Sequence, residues 1–534
     1  MIHIRVIKYP NMSQVNLDAL ISRQDMFVRE GKTDKSNQRG SDDFRITDLE
    51  QRAFFFNSLR KPDFQRETSD WTPEKVCDFI ESFVNGDLIP SVIMWSSGTY
   101  NFVIDGAHRI SALVAWVLDD YGDGILSQPF FDNEVDEGIR KLAEKTRTLV
   151  NKRIGTYQRF VAAMQNPNSD KKITETALRF GILNIKLQWV EGTAEVAEKS
   201  FFKINESATP INETEKELLK ARRKPNAIAA RAIIHAGSGH RYWDKFSSEK
   251  MLEIENLAKE INEILFTPKY ETPIKTLDLP LGGKGYSGQT LELIFDLVNL
   301  SNGIRIEDKK RPEDRELDDD ETGEVTVTFL TQTKKLLSRM TGNISASLGL
   351  HPAVYFYSNS GRYQVTAFMA WIELIKDFEL RKGFKEFIDV RSKYEDFLVS
   401  HKEFIHQIVL KFGSGVKSYR RLERYFKIII TQFQDGKNEQ QIIDHLLQEQ
   451  SEFNFLRQNQ LEVSPTKRAT FSPETKSMVY IREAFANPIR CGLCGGYIHT
   501  KGIQIDHIER KKDGGIGHVD NGQLTHPYCN SIKS

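Results

Sequence analysis

The tightest constraint on this chain lies in its C-terminal stretch. Cys491-Gly492-Leu493-Cys494 is one closely spaced pair of soft ligands, and His526-Pro527-Tyr528-Cys529 is a second. Zinc takes four such ligands tetrahedrally, commonly as two short pairs far apart in sequence, so the two pairs must meet in space if one ion holds them. Asp506-His507, Gly514-Gly515 and Asn521 lie between the pairs, and Asn530 follows the second. A lone C-x-x-C says little, and surface cysteines without a metal are the plain alternative. Two matched pairs enclosing an acid, an imidazole and an amide are specific. So short a segment has little core, and a structural metal would supply its folding energy.

The 490 residues before Cys491 must then fold on their own terms. The chain's 534 residues exceed one hydrophobic core, which predicts two or three domains. Hydrophobic content of 39% and charged content of 28% describe a soluble globular protein. Lys+Arg and Asp+Glu are both 74, so any contact with a polyanion must come from local basic patches. Four cysteines exclude a disulfide scaffold and suit a reducing cytoplasm, with Cys77 left over as a core residue. No apolar run approaches the roughly 18 residues of a membrane span, and Met1 to Arg5 does not open a secretory leader. The expectation is a cytoplasmic protein with no membrane partner.

Order becomes legible at Thr72, a helix cap with Pro73 at the first position and Val76, Phe79, Ile80 and Phe83 at helical spacing before Gly86. Ser91 to Trp95 and Tyr100 to Ile104 read as strands joined by a tight turn. Asp105-Gly106-Ala107-His108-Arg109 then opens a helix with Ile110, Leu113, Val114 and Val117 on one face, and the free N–H groups of such a start favour an anion. Residues 123–200 read as mainly helical, and helical periodicity dominates from about 225 to 455. Glu30 to Asp43 and Glu307 to Glu324 read as solvated loops, and Gly282 to Gly285 as a turn, since no Gly-Lys-Ser/Thr follows at phosphate-loop spacing. Lys417, Tyr419, Arg420, Arg421, Arg424 and Tyr425 form a basic-aromatic set suited to a DNA backbone; an exposed amphipathic helix explains them equally well. The boundaries predicted are 1–225, 226–457, a linker over 458–477, and 478–534.

The C-terminal motifs resemble those of cysteine-bearing HNH endonucleases, a ββα-metal finger, with His526 where that family usually has cysteine. The resemblance implies that Cys491, Cys494, His526 and Cys529 hold a structural Zn²⁺. It implies His507 as general base. Asp506 and Asn530 would hold one hydrated Mg²⁺ or Mn²⁺ at the scissile phosphate. Asn521 would brace the loop that orients His507, and His518 is a weaker ligand candidate. Arg510, Lys511 and Lys512 would meet the DNA backbone, although a charge run is commonly just a wet surface.

A second resemblance covers roughly residues 10–225. Leu17-Asp18-Ala19-Leu20, Phe64-Gln65-Arg66, Asp105 to Arg109, Ile204-Asn205, Thr209-Pro210 and Glu215 are similar to the N-terminal domain of GmrSD-type restriction systems and SspE-type phage-defence proteins. That domain has a ParB/sulfiredoxin-like core and a D-G-Q-Q/H-R signature, in which Ala107 here replaces a glutamine. The resemblance implies a nucleoside triphosphate (GTP, ATP or CTP) bound by Gln65, Arg66, Asp105, Gly106, His108, Arg109, Asn205 and Glu215. A polar turn held by an Asp–Arg pair is the alternative. The fold expected is multidomain α+β: a ParB/sulfiredoxin-like domain, a mainly helical middle, and an HNH finger with structural zinc. The function expected is a nucleotide-regulated, metal-dependent DNA endonuclease of restriction or anti-phage defence that senses modified DNA. A homo-oligomer would be needed for a double-strand break in one visit. The alternative is a nucleotide-dependent DNA-binding regulator whose finger only docks.

Overall fold

The structure is a computed structural model that describes residues 14–24, 26, 40–62, 65, 68–131, 133, 135, 137–166, 169–208, 217–218, 221–238, 240–285, 288–304, 317–458 and 471–533. It divides into two units, Met1–Arg222 with Ser238–Tyr242, and Arg223–Gly237 with Trp243–Ser534.

Among the described residues the first unit is built on a mixed sheet of six strands: β1 (Arg23–Gln24), β2 (Asp43–Arg45), β3 (Leu59–Pro62), β4 (Val92–Ser96), β5 (Asn101–Asp105) and β6 (Asn184–Trp189), in the spatial order β1-β3-β5-β4-β6-β2. β4 and β5 are the antiparallel hairpin that the sequence predicts, closed where Ser97 N donates to Tyr100 O. Their near-continuous apolar runs follow from burial on both faces. Val92, Met94 and Val103 enter the main core with α1 (Pro73–Asn85) and α2 (Ala107–Leu118), while Trp95, Phe102 and Ile104 pack against Ala197 and Phe201 of α3 (Ala194–Ala208). Thr72 caps α1 by accepting from Lys75 N, and Gly86 ends it in the left-handed conformation. Cys77 is core, and burial pushes its thiol up.

Residues 123–200 are mainly helical, as the sequence predicts, but they also contain a strand, β6, whose Ile185 and Leu187 are buried between exposed Asn184, Lys186 and Gln188. Six residues with one apolar face are too few to stand out between helices. The loop over 307–324 lies outside the described residues as far as 316, but Asp320 is not solvated. It is buried, and its carboxylate accepts from Thr322 N, Gly323 N, Thr326 N and Thr326 Oγ1, ordering the entry to the helix Glu324–Met340. The loop from Glu30 lies outside the described residues as far as residue 39.

Asp18, at the short turn before β1, anchors a buried charge knot. Lys61 Nζ lies 2.6 Å from its Oδ1 and Arg23 Nη2 2.8 Å from the same atom, with Lys61 fully buried. Burial alone would raise the Asp18 carboxyl, but Arg23 and Lys61 outweigh it and hold it well below the usual carboxylate range. Such a group contributes its stability above its unfolded value of about 4 and loses it only as pH falls through the depressed folded value. Asp18→Asn leaves Lys61 and Arg23 without that charge, so it should destabilise the unit by about 3 kcal/mol at pH 7, read as a lower urea midpoint; an unchanged midpoint would refute the knot's importance.

The second unit is helical up to its end. Its cross-braced helices include Ser248–Phe266, Val365–Arg381, α4 (Phe384–Ser400) and Tyr419–Gln434. Of the apolar stripe on the first, Ile261 and Leu265 are buried and Leu257 and Ile264 half-buried. In the last, Tyr419 and Tyr425 are buried, so the predicted aromatic members do not face outward, while Arg420 and Arg424 are exposed. Arg424 is held by both carboxylate oxygens of Glu452, Arg421 lies 4.2 Å over Phe412, and Arg420 lies over Tyr419. The predicted linker 458–477 lies outside the described residues over 459–470, and its end is helical, with Ser472 capping Pro473–Ala484. Among the described residues no helix is long and apolar enough to cross a membrane.

A metal finger docked on a helical body

The chain's end forms a hairpin, β7 (Gln504–His507) and β8 (Gly522–Thr525), followed by α5 (Pro527–Ile532), with Asp506 opposite Gln523 and His507 opposite Gly522. The ligand atoms of Cys491, Cys494, His526 and Cys529 converge within 4.8 Å of one another. His526 Nδ1 lies 3.4 Å from Cys494 Sγ and 3.8 Å from Cys529 Sγ, bracketing the ~3.6 Å edge of a zinc tetrahedron. The opposite ring nitrogen, Nε2, sits 2.9 Å from Tyr497 O and donates to it when it carries the hydrogen, which in the neutral ring leaves Nδ1 bare, the tautomer a metal ligand needs. Hydrogen bonding from the Cys494 and Cys529 thiols draws Cys491 well below its usual value, toward the thiolate. The donor set fits a metal ion.

The long loop between the strands is held by Asn521. Its Oδ1 accepts from Glu509 N at 2.7 Å, and its Nδ2 donates to Glu509 O and Ile516 O. Gly514 adopts φ +104°, and a Cβ on Gly515 would fall 1.9 Å from Glu509 O, so the Gly-Gly pair is a steric requirement of this closure. Arg510 pairs with Asp513 at 2.5 Å, His518 with Asp520 at 3.2 Å, and Lys511 and Lys512 are exposed.

The strand's pleat sends Gln504 and Asp506 to one face and Ile505 and His507 to the other. Asp506 is 8% exposed, and its Oδ2 accepts from Gln523 Nε2 at 2.9 Å and Lys533 Nζ at 2.8 Å. Burial acts to raise this carboxyl, yet Lys533 and Gln523 prevail and lower it. Asn530 Nδ2 donates to Gln504 Oε1 at 2.8 Å, which leaves its Oδ1 uncommitted among the described residues. A carboxylate and an amide oxygen are donors of the kind that a hard divalent cation selects. The half-buried His507 imidazole makes no hydrogen bond to a described residue. Sequence reasoning missed Gln504, Gln523 and Lys533. The first is detectable from the two-residue pleat before Asp506, and the last from its place one helical turn beyond Asn530.

The finger is not carried loosely. Glu395 and Arg391 of α4 are fully buried and paired at 2.7 Å. Arg391 donates to Leu348 O and Gly349 O, while Glu395 accepts from Tyr355 OH and from the backbone N of Tyr497 in the finger. Tyr528 N donates to Ser347 O, Gln504 Nε2 to Asn343 O, and Gly349 and Gly502 touch backbone to backbone.

In the first unit, Arg109 Nη2 pairs with Asp105 and its Nη1 donates to Pro90 O and Ser91 O, so the guanidinium is committed to the turn it closes. Gly106 stands at φ +101°, where a Cβ would meet Val92 Cγ2 at 2.9 Å. His108 stacks on Trp71 at 5.6 Å. Gln65 is buried; its Nε2 donates to Ile104 O and its Oε1 has no partner among the described residues. Arg66, Glu215 and the Asn205 side chain lie outside the described residues, as do Phe64, Thr209 and Pro210.

Residues 47–223 match the family model for the GmrSD restriction endonuclease N-terminal domain, and residues 491–534 match that for the HNH endonuclease. No curated protein and no solved structure matches the chain. With a ligand cluster of metal-site geometry inside the second match, the chain joins a GmrSD-type N-terminal domain to an HNH endonuclease domain and is a metal-binding DNA endonuclease of restriction or defence.

Proposed function

We propose that the protein is a nucleotide-regulated nuclease that senses modified DNA and hydrolyses its phosphodiester bonds at the finger. The observation that carries the chemistry is the Asp506-His507 strand end placed on a finger with a four-ligand metal cluster. Docking alone would not require an acid and an imidazole there. In this reading Zn²⁺ sits in the Cys491, Cys494, His526 and Cys529 cluster and is structural. His507 takes the proton from the attacking water. Asp506 and Asn530 hold a hydrated Mg²⁺ or Mn²⁺, which when bound neutralises charge developing on the phosphate. Asn521 keeps the loop closed over the strand end, and Lys511 and Lys512 meet the DNA backbone.

A ParB/sulfiredoxin-like core is assigned to the first unit, with the nucleotide near Gln65 and the Asp105–Arg109 turn. Gln65 Oε1, without a partner among the described residues, supports this as an acceptor for a ligand N–H. GTP, ATP and CTP are the candidates. The finger carries one catalytic centre, so a single copy nicks and a homo-oligomer or a second visit completes a double-strand break.

The test is plasmid nicking with Mg²⁺ or Mn²⁺, with and without each nucleotide, on modified and unmodified DNA. His507→Ala should slow nicking about 10²–10⁴-fold while DNA binding and zinc content stay at wild-type levels. Undiminished nicking by that variant would remove the imidazole from the mechanism.

A further inference from the structure

Lys533 lies three residues beyond Asn530, just past the end of α5. Its ammonium reaches Asp506 Oδ2 at 2.8 Å, the carbonyl oxygen of His507, and that of Ile508 at 3.3 Å. A lysine at a helix C-terminus ordinarily turns back to the last carbonyls of its own helix. This one crosses to the strand that carries the catalytic pair. One carboxylate and two carbonyls make an all-oxygen nest, the donor set that hard metal cations also select. The Lys533 and Asp506 side chains are only 19% and 10% exposed, so water and salt screen the pair weakly. Gln523 Nε2 shares the same Oδ2, so that oxygen already carries two donors.

We propose that Lys533 is a tethered cation that competes with the divalent metal for Asp506. The lysine keeps the carboxylate aimed along the face shared with Gln504 and Asn530, and it must leave Oδ2 before that oxygen can bind metal. The strength of this contact therefore sets the metal concentration at which the finger becomes competent. The inference rests on Asp506 being a ligand of that cation.

The experiment is a Mn²⁺ titration of the full-length, zinc-loaded protein, with free Mn²⁺ followed by its electron paramagnetic resonance signal in the absence of DNA. Lys533→Met should bind Mn²⁺ about tenfold more tightly than wild type, a coupling of ordinary size for two sites sharing one group. Lys533→Arg, which keeps the charge, should not gain affinity. Asp506→Asn should lose the binding. If Asp506→Asn loses it while Lys533→Met binds no more tightly than wild type, the competition is overturned and the ligand assignment stands. If Asp506→Asn binds as wild type does, the ligand assignment itself fails, and the competition with it. Zinc content reports the folding of each variant, and Lys533→Gln replaces the methionine variant if that protein loses its zinc.

Discussion

Cys491→Ser is expected to empty the finger of its structural metal and to abolish DNA cutting. Cys491 is 3% exposed and Cys529 2%, so these thiols lie in the finger's small interior beside Tyr497 and His526. Metal binding contributes ~10–16 kcal/mol to the folding of small zinc domains, far more than the apolar contacts of one hairpin and a two-turn helix can replace. Bound zinc, measured by elemental analysis, should fall from one ion per chain to none. Residues 491–533 should become open to protease while the first unit keeps its cooperative melting. Exhaustive dialysis of wild type against a strong chelator should reproduce both effects. A serine variant that retained one zinc and its nicking rate would remove the cluster from the folding argument.

The second large effect is expected from Arg391→Met. The guanidinium and the Glu395 carboxylate are both fully buried, and removing one partner leaves the other charged with no water to reach it. Breaking such a pair costs about 3–5 kcal/mol, whereas replacing both members with apolar residues of similar volume is often neutral. The single variant should therefore melt at clearly lower denaturant, and the double variant Arg391→Met/Glu395→Leu should recover part of the loss. Because Glu395 also accepts from Tyr497 N, the single change should raise protease sensitivity first in the finger. Equal midpoints for wild type and Arg391→Met would mean that the pair is incidental.

The parts of the fold that the sequence disclosed are those whose signal is local. Thr72-Pro73, Gly86 and the β4–β5 turn mark their own ends, and cysteine spacing declares a metal site before any coordinates exist. What stayed hidden depends on partners far away in the chain. Lys61 looks like a surface residue until Asp18 and Arg23 enclose it. Tyr419 and Tyr425 look like members of one outward basic-aromatic face until the fold turns both inward and Glu452 takes up Arg424. At the finger, Asp506 and Asn530 entered through the family resemblance. The Gln504 that links to Asn530, and the lysine lying on Asp506, follow from the pleat and from one helical turn, geometry that no motif states.

Gly349 against Gly502, with the Arg391–Glu395 pair beneath, also bears on any attempt to move this nuclease elsewhere. The finger borrows its floor from α4 and from the segment around Ser347, so it is not a cassette that can be excised and appended to a foreign targeting protein. A transplant would have to carry its helical pedestal with it.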